Sequence, residues 1–140
     1  MRWLPLTVLV TASLAACTQA RSDVCRSMTY ENRNQADYGP LEISVVRGIA
    51  RDPRGDPFPN VCIGLFTETD HMLAAFAQSD ESGEFEVIGV TSGEYRLVAK
   101  HEGFPSANAK VRVQSRSPGK DLTLHMSLPN VDAVSYFQLE

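Results

Sequence analysis

From Leu41 onward the chain alternates apolar and polar side chains in short runs. Val61, Ile63 and Leu65 form one such set, followed by Phe85 and Val87, then Tyr95, Leu97 and Ala99. Val111 with Val113, and Leu122, Leu124, Met126 and Leu128, complete the pattern. A period of two places each set on one face of a pleated strand. The runs predict seven strands, over 41–51, 60–67, 71–78, 84–90, 94–101, 108–114 and 120–128, and with them an all-β sandwich. The opposite phase carries Glu84, Glu86, Glu94, Arg96, Lys110, Arg112 and Thr123, which predicts a solvated outer face. In 71–78 both phases are apolar (Met72, Ala74 and Phe76 against Leu73, Ala75 and Ala77), so its inward face stays open.

The breaks between runs have a chemistry of their own. Asp52-Pro53-Arg54-Gly55-Asp56-Pro57 cannot continue a central strand, because its prolines lack donors and Gly55 readily takes positive φ. Asp80-Glu81-Ser82-Gly83 reads as a hairpin loop with Gly83 left-handed. Thr91-Ser92-Gly93 and Glu102-Gly103 are further turns, and Pro118-Gly119 opens the last strand.

Upstream of the strands the pattern changes twice. Residues 18–40 include Thr18, Gln19, Ser22, Asn32, Asn34 and Gln35, show no periodicity, and end at Gly39-Pro40, which reads as a polar tether. Residues 1–16 place one basic residue, Arg2, before an apolar run of signal-peptide length. The run ends in Leu14-Ala15-Ala16-Cys17, which resembles the lipobox of bacterial lipoproteins. The resemblance implies cleavage before Cys17 and a lipid on its sulfur, with the membrane as a partner. The alternative is an ordinary secretory leader cleaved after Ala20. Each buried acyl methylene contributes about 0.8 kcal/mol, so several chains together anchor firmly. Thr18, in place of Asp after the cysteine, implies the periplasmic side of the outer membrane in a two-membrane bacterium. The expected organisation is a signal peptide over 1–16, a lipidated tether over 17–40, the sandwich over 41–130, and a tail over 131–140.

With 140 residues the chain is sized for one domain. Its net charge of −4 argues against a nucleic-acid partner, because phosphate binding needs a basic surface.

Taken in order, the turns and strands make a recognisable series. Gly48-x-Ala50-x-Asp52-x-x-Gly55-x-Pro57 precedes Pro59-Asn60-Val61-x-Ile63. Then come Asp80-x-x-Gly83-x-Phe85, Gly89-Val90, Gly93-x-Tyr95-x-Leu97 and Gly103-Phe104. The series resembles the carboxypeptidase regulatory-like family over about residues 43–128. The resemblance implies a prealbumin-like (transthyretin-like) Greek-key sandwich. Gly55 and Gly83 then stand at turns, and Phe85, Tyr95 and Leu97 are expected in the core on adjacent strands, with the Tyr95 hydroxyl reaching a partner at the rim. Ala50 departs from the larger aliphatic common in the family. Members of the family act as accessory modules or stand-alone secreted domains, so the resemblance carries fold more than chemistry.

Candidate chemistry is sparse. His71, His101 and His125 lie in separate elements without metal-ligand spacing and read as solvated side chains. Intradiol dioxygenases share the broad sandwich class but need two histidines and two tyrosines around iron. Tyr30 and Tyr38 fall in the tether and Tyr95 in the core, which argues against that site. The Tyr-Arg-Gly-Ser ending of hydroxyisourate hydrolases is absent, as is any Gly-x-Ser-x-Gly elbow. Asp52, Asp56, Asp80 and Glu81 could hold calcium but read as turn formers, so no metal or cofactor is expected.

With Cys17 acylated, Cys25 and Cys62 remain as an even pair in an oxidising compartment. Cys62 alternates out of phase with Val61 and Ile63, so a tether returning along the sheet could meet it. A Cys25–Cys62 disulfide is expected, against two free thiols. The apolar tail residues Val131, Val134, Tyr136, Phe137 and Leu139 form an extra strand or arm, or else a peptide offered to a partner.

The functional expectation is a non-catalytic, lipid-anchored envelope module that binds protein or glycan. The alternatives are a structural lipoprotein subunit of an envelope machine and a small hydrolase on a transthyretin-like fold.

Overall fold

The computed structural model describes residues 24–30, 40–129 and 134–140. The expected leader and Cys17 lie outside these residues, as do positions 18–23 and 31–39 of the expected tether and Val131 of the tail. Among the described residues the chain forms nine strands: β1 (Leu41–Ile43), β2 (Val46–Arg51), β3 (Cys62–Thr67), β4 (Leu73–Gln78), β5 (Glu84–Val87), β6 (Gly93–Lys100), β7 (Ala107–Val113), β8 (Leu122–His125) and β9 (Tyr136–Leu139). They build two mixed sheets, one in the order β1-β7-β6-β3-β4 and the other β5-β2-β8-β9. β1 runs parallel to β7 and β2 parallel to β8; the other pairs are antiparallel.

The all-β sandwich is as expected, and the two additional strands have simple causes. The run 41–51 changes phase in its middle. Leu41 and Ile43 turn inward, then Val46 and Ala50 do, so a strict alternation fails at Ser44-Val45. The chain bends there and passes from the first sheet to the second. The ninth strand is the tail, which pairs with β8 from Leu122↔Leu139 to His125↔Tyr136.

The expected hairpin at Asp80–Gly83 is an arch instead, because β4 and β5 belong to different sheets. Ser79 turns the chain aside: its N–H donates to Val61 O at 2.9 Å, its hydroxyl donates to Phe58 O at 2.8 Å, and that hydroxyl accepts from Val61 N–H at 2.8 Å. The same crossing separates Phe85 from Tyr95 and Leu97, which are not on adjacent strands. Phe85 lies on β5 in one sheet, and the other two lie on β6 in the facing sheet. All three are buried in the core that fills the space between the sheets, with Ile63, Leu65, Leu122, Leu124 and Phe137. Fully burying a side chain of this size contributes roughly 1.5–3 kcal/mol. The Tyr95 hydroxyl does reach the rim, donating to Thr91 O at 2.9 Å with Thr91 Oγ1 at 3.0 Å.

The outer faces are drier than the alternation predicts. Arg96 and Thr123, both expected in water, are buried. Thr123 stands in register between Ile49 and Gln138, so the added β9 makes its strand an interior one. Arg96 lies on central β6 beside buried Phe66 and Val98, with its guanidinium 3.8 Å from the Glu68 carboxylate. In β4, Ala75 and Ala77 pack inward opposite Leu65 and Ile63. A register shift between Leu65 and Phe66 sets Leu73 opposite Phe66, and Leu73 Cδ1 lies beside Gly64.

Candidate functional site

The outer face of the first sheet carries a covering that starts from the expected Cys25–Cys62 disulfide. Residues 24–26 form a single helical turn, closed by Met28 N–H to Cys25 O at 3.2 Å and the Ser27 hydroxyl to Val24 O at 3.0 Å. Cys25 is fully buried and joined to Cys62 at the start of β3, Cα to Cα 5.3 Å. The segment then lies along β3. The Met28 sulfur comes within 3.1 Å of where a Cβ on Gly64 would stand, so only glycine lets it settle that closely. Tyr30 packs edge-on against Phe66, ring centroids 5.8 Å apart, and stacks on His71 at 3.9 Å. Lys100 Nζ donates to Thr29 Oγ1 at 3.3 Å. Residues 24–30 are therefore a strap on the sheet, held by the expected Cys25–Cys62 bond and, beyond what the sequence predicts for the polar tether over 17–40, by the Met28 and Tyr30 contacts. Its few apolar side chains are spaced too irregularly to show a period.

His71 meets Tyr30 from the β3–β4 turn, where it holds φ 53°. Thr67 fixes that turn: its N–H donates to Met72 O at 2.9 Å and its hydroxyl accepts from Met72 N–H at 3.1 Å. The other two histidines also meet aromatic rings; His71 stays exposed as expected, while His101 and His125 are half-buried. His101 lies 4.5 Å from Phe58, and His125 lies 4.8 Å from Tyr136. The three histidines stay apart from one another. Among the described residues no group of three histidine, cysteine or acidic side chains is placed to hold a metal ion.

Two of the four candidate calcium carboxylates, those of Asp52 and Asp80, are engaged in a device used twice. In Asp52–Asp56, Asp52 Oδ1 accepts from the N–H groups of Arg54 and Asp56, both at 2.9 Å. The Asp52 carbonyl accepts from Gly55 N–H at 2.9 Å, and Asp52 N–H donates to Asp56 O at 2.8 Å. Asp80–Glu84 repeats every bond: Asp80 Oδ1 takes Ser82 and Glu84 N–H at 2.9 and 3.0 Å, and the Asp80 carbonyl takes Gly83 N–H at 2.9 Å. Both turns need positive φ at the fourth position, 87° at Gly55 and 75° at Gly83, where glycine pays no steric penalty. The repeated Asp-x-x-Gly spelling is the sequence signal of this shared geometry.

Two serines missed by the sequence reading do structural work in buried positions. One is Ser79, described above. The other is Ser135, whose hydroxyl donates to Pro105 O at 2.6 Å and accepts from Ser127 N–H at 3.0 Å, fixing the tail to two loops. Of the remaining predicted positions, Gly93 opens β6, its missing Cβ leaving 3.5 Å to the Tyr95 ring.

Charges form short rows on the outer faces. Arg112 donates to Glu94 at 2.9 Å and to Glu42 at 3.1 Å across β6, β7 and β1, and Arg47 donates to Asp121 at 2.7 Å. Hydrogen bonding and then the charge of Arg112 hold the Glu94 carboxyl below the ordinary carboxylate range, and raise Arg112 in return. Arg47 is raised by Asp121 in the same way. Beside that pair a shallow cleft is lined by Gln78, Asp80, Glu84 and Glu86.

No curated protein matches the chain significantly. Among solved structures it is similar to 3-chlorocatechol 1,2-dioxygenase from Rhodococcus opacus 1CP, at 13% identity and a TM-score of 0.38, covering 86% of this chain and 77% of that one. A likeness of that size carries no functional argument. The family profile of the carboxypeptidase regulatory-like domain matches residues 45–128, from the bend between β1 and β2 to just beyond β8. The turns and core that this span contains are those built above, and the chain belongs to the carboxypeptidase regulatory-like domain family.

Proposed function

We propose that this protein is a non-catalytic module of the bacterial cell envelope, held to the membrane by lipid on Cys17 and presenting its sandwich to a protein or glycan. The observation that carries the reading is the Cys25–Cys62 bond. Disulfides of this kind persist outside the reducing cytosol. This one pins the chain to β3 about eight residues after the lipobox-like Leu14-Ala15-Ala16-Cys17. Lipid on Cys17 then leaves the third cysteine of the chain occupied as well. A non-catalytic role is supported by how the reactive side chains are used: Asp52 and Asp80 close turns, Ser79 and Ser135 stitch backbone, and the histidines lie against aromatic rings. The Thr18 position favours the periplasmic face of the outer membrane.

The test is expression with the native leader in a two-membrane bacterium, followed by intact mass of detergent-extracted protein. The expected product begins at an acylated Cys17, and Cys17→Ala loses the membrane fraction. A product beginning at Arg21 with no lipid overturns the anchor. Capture of a partner from envelope membranes then separates the readings of its role. A fixed stoichiometric complex favours a structural subunit of an envelope machine, and an exchanging partner favours a binding module.

A further inference from the structure

One end of the sandwich is shared by the disulfide and by four loops. Cys62 stands in register with Gln78 at the end of β4 and Lys100 at the end of β6. The same end carries loops 52–61, 79–83 and 101–106 and residues 126–129 and 134–135, joined by Asn60 N–H to Ser79 O at 3.0 Å and Ser135 Oγ to Pro105 O at 2.6 Å. From Cys25 the strap runs along β3 away from this end, Met28 beside Gly64 and Tyr30 on Phe66. Position 25, where the link to Cys17 attaches, is thus fixed at the Cys62 end.

Chain length then limits orientation. About eight residues separate Cys17 from Cys25, and at full extension they reach at most about 28 Å. Strand β6 is itself about 26 Å long, so the opposite end could meet the bilayer only with the link stretched along the whole domain. The Cys62 end also exposes apolar side chains: Val24 is 66% exposed, Leu128 56%, Tyr136 44% and Val134 40%. A tyrosine at such a rim suits a lipid headgroup boundary, with its ring in the apolar layer and its hydroxyl in water. Arg51, Arg54 and Lys100 stand at this end with Asp52, Asp56, Asp80, Glu81 and Glu102, a modestly acidic set that suits a zwitterionic lipid surface better than an anionic one.

We infer that this end, with Leu128 and Tyr136 at its contact, rests on the bilayer that holds the Cys17 lipid. The opposite loops, with Ile88 81% exposed, face the periplasm and are free for a partner. The inference rests on the anchor proposed above. Trp3, in the leader, is the one tryptophan of the chain, so processed protein carries none. Full-length lipidated Leu128→Trp and Ile88→Trp proteins in phosphatidylcholine vesicles with brominated acyl chains therefore report depth separately. Leu128→Trp should lose most of its emission relative to unbrominated vesicles, and Ile88→Trp should lose none. Protein that fails to float with vesicles removes the anchor and this inference together. Protein that floats with Ile88→Trp quenched, or with neither quenched, leaves the anchor and overturns the orientation.

Discussion

Replacing Cys25 and Cys62 together by serine tests how the strap is held. The bond closes a loop with a sequence separation of 37. In the chain-entropy account, a constraint of this length on the unfolded chain contributes about 4 kcal/mol. The folded state loses more if the strap then lifts, because Phe66 loses the Tyr30 edge and Gly64 loses the Met28 contact. The remaining holds are slight: a 3.3 Å bond from Lys100 to Thr29, the Tyr30–His71 stack and the Arg26 guanidinium 5.9 Å over the Phe76 ring. A domain of this size has about 5–15 kcal/mol in total, so the loss is a large fraction. The thermal midpoint should fall by roughly 15–30 °C. Trypsin adds a local readout, since Arg26 sits within the strap. Cleavage after Arg26 should be slow in the oxidised protein and fast in the serine pair at a temperature where both remain folded. Equal midpoints together with equal cleavage rates would refute the reasoning, showing that the strap neither constrains the chain nor is constrained by it.

Phe85→Ala removes a ring from the space between the sheets and should cost roughly 3–5 kcal/mol in urea unfolding; an unchanged midpoint would mean that β5 turns its other face inward. Gly48→Ala sets a methyl 1.8 Å from the Leu122 carbonyl oxygen, so β2 and β8 must separate. Backbone is less able to yield than a side chain, so the loss should reach or pass the top of the roughly 1–3 kcal/mol range for overpacking, read by the same unfolding assay. The Glu94 carboxyl, followed by NMR titration, should protonate below the ordinary range and move up in Arg112→Gln. Because its folded value is the lower one, its contribution to stability is present above the unfolded value and is lost as pH falls through the folded value.

The alternation of Phe85, Val87, Tyr95, Leu97, Leu122 and Leu124 was enough to determine an all-β chain with these residues inside, because a period of two admits one inward face per strand. The turns were equally local. Asp52 and Asp80 each bond amides within four residues, and Gly55 and Gly83 answer to their own φ, so neighbouring letters contain the whole geometry. Sheet membership was not legible in this way. The arch at Asp80–Gly83 and a hairpin there share the same turn, and only the hold of Ser79 on Phe58 and Val61, some twenty residues away, sends β5 to the other sheet. Solvation of the outer faces was likewise decided in three dimensions. Arg96 and Thr123 are polar letters in outward phase, and their surroundings came from other strands: Arg96 is buried beside Phe66 of β3, and Thr123 is enclosed by the tail strand at 136–139. Alternation records which way a side chain points from its own strand. What later folds over that face depends on closing long loops, and the tertiary structure alone decides it.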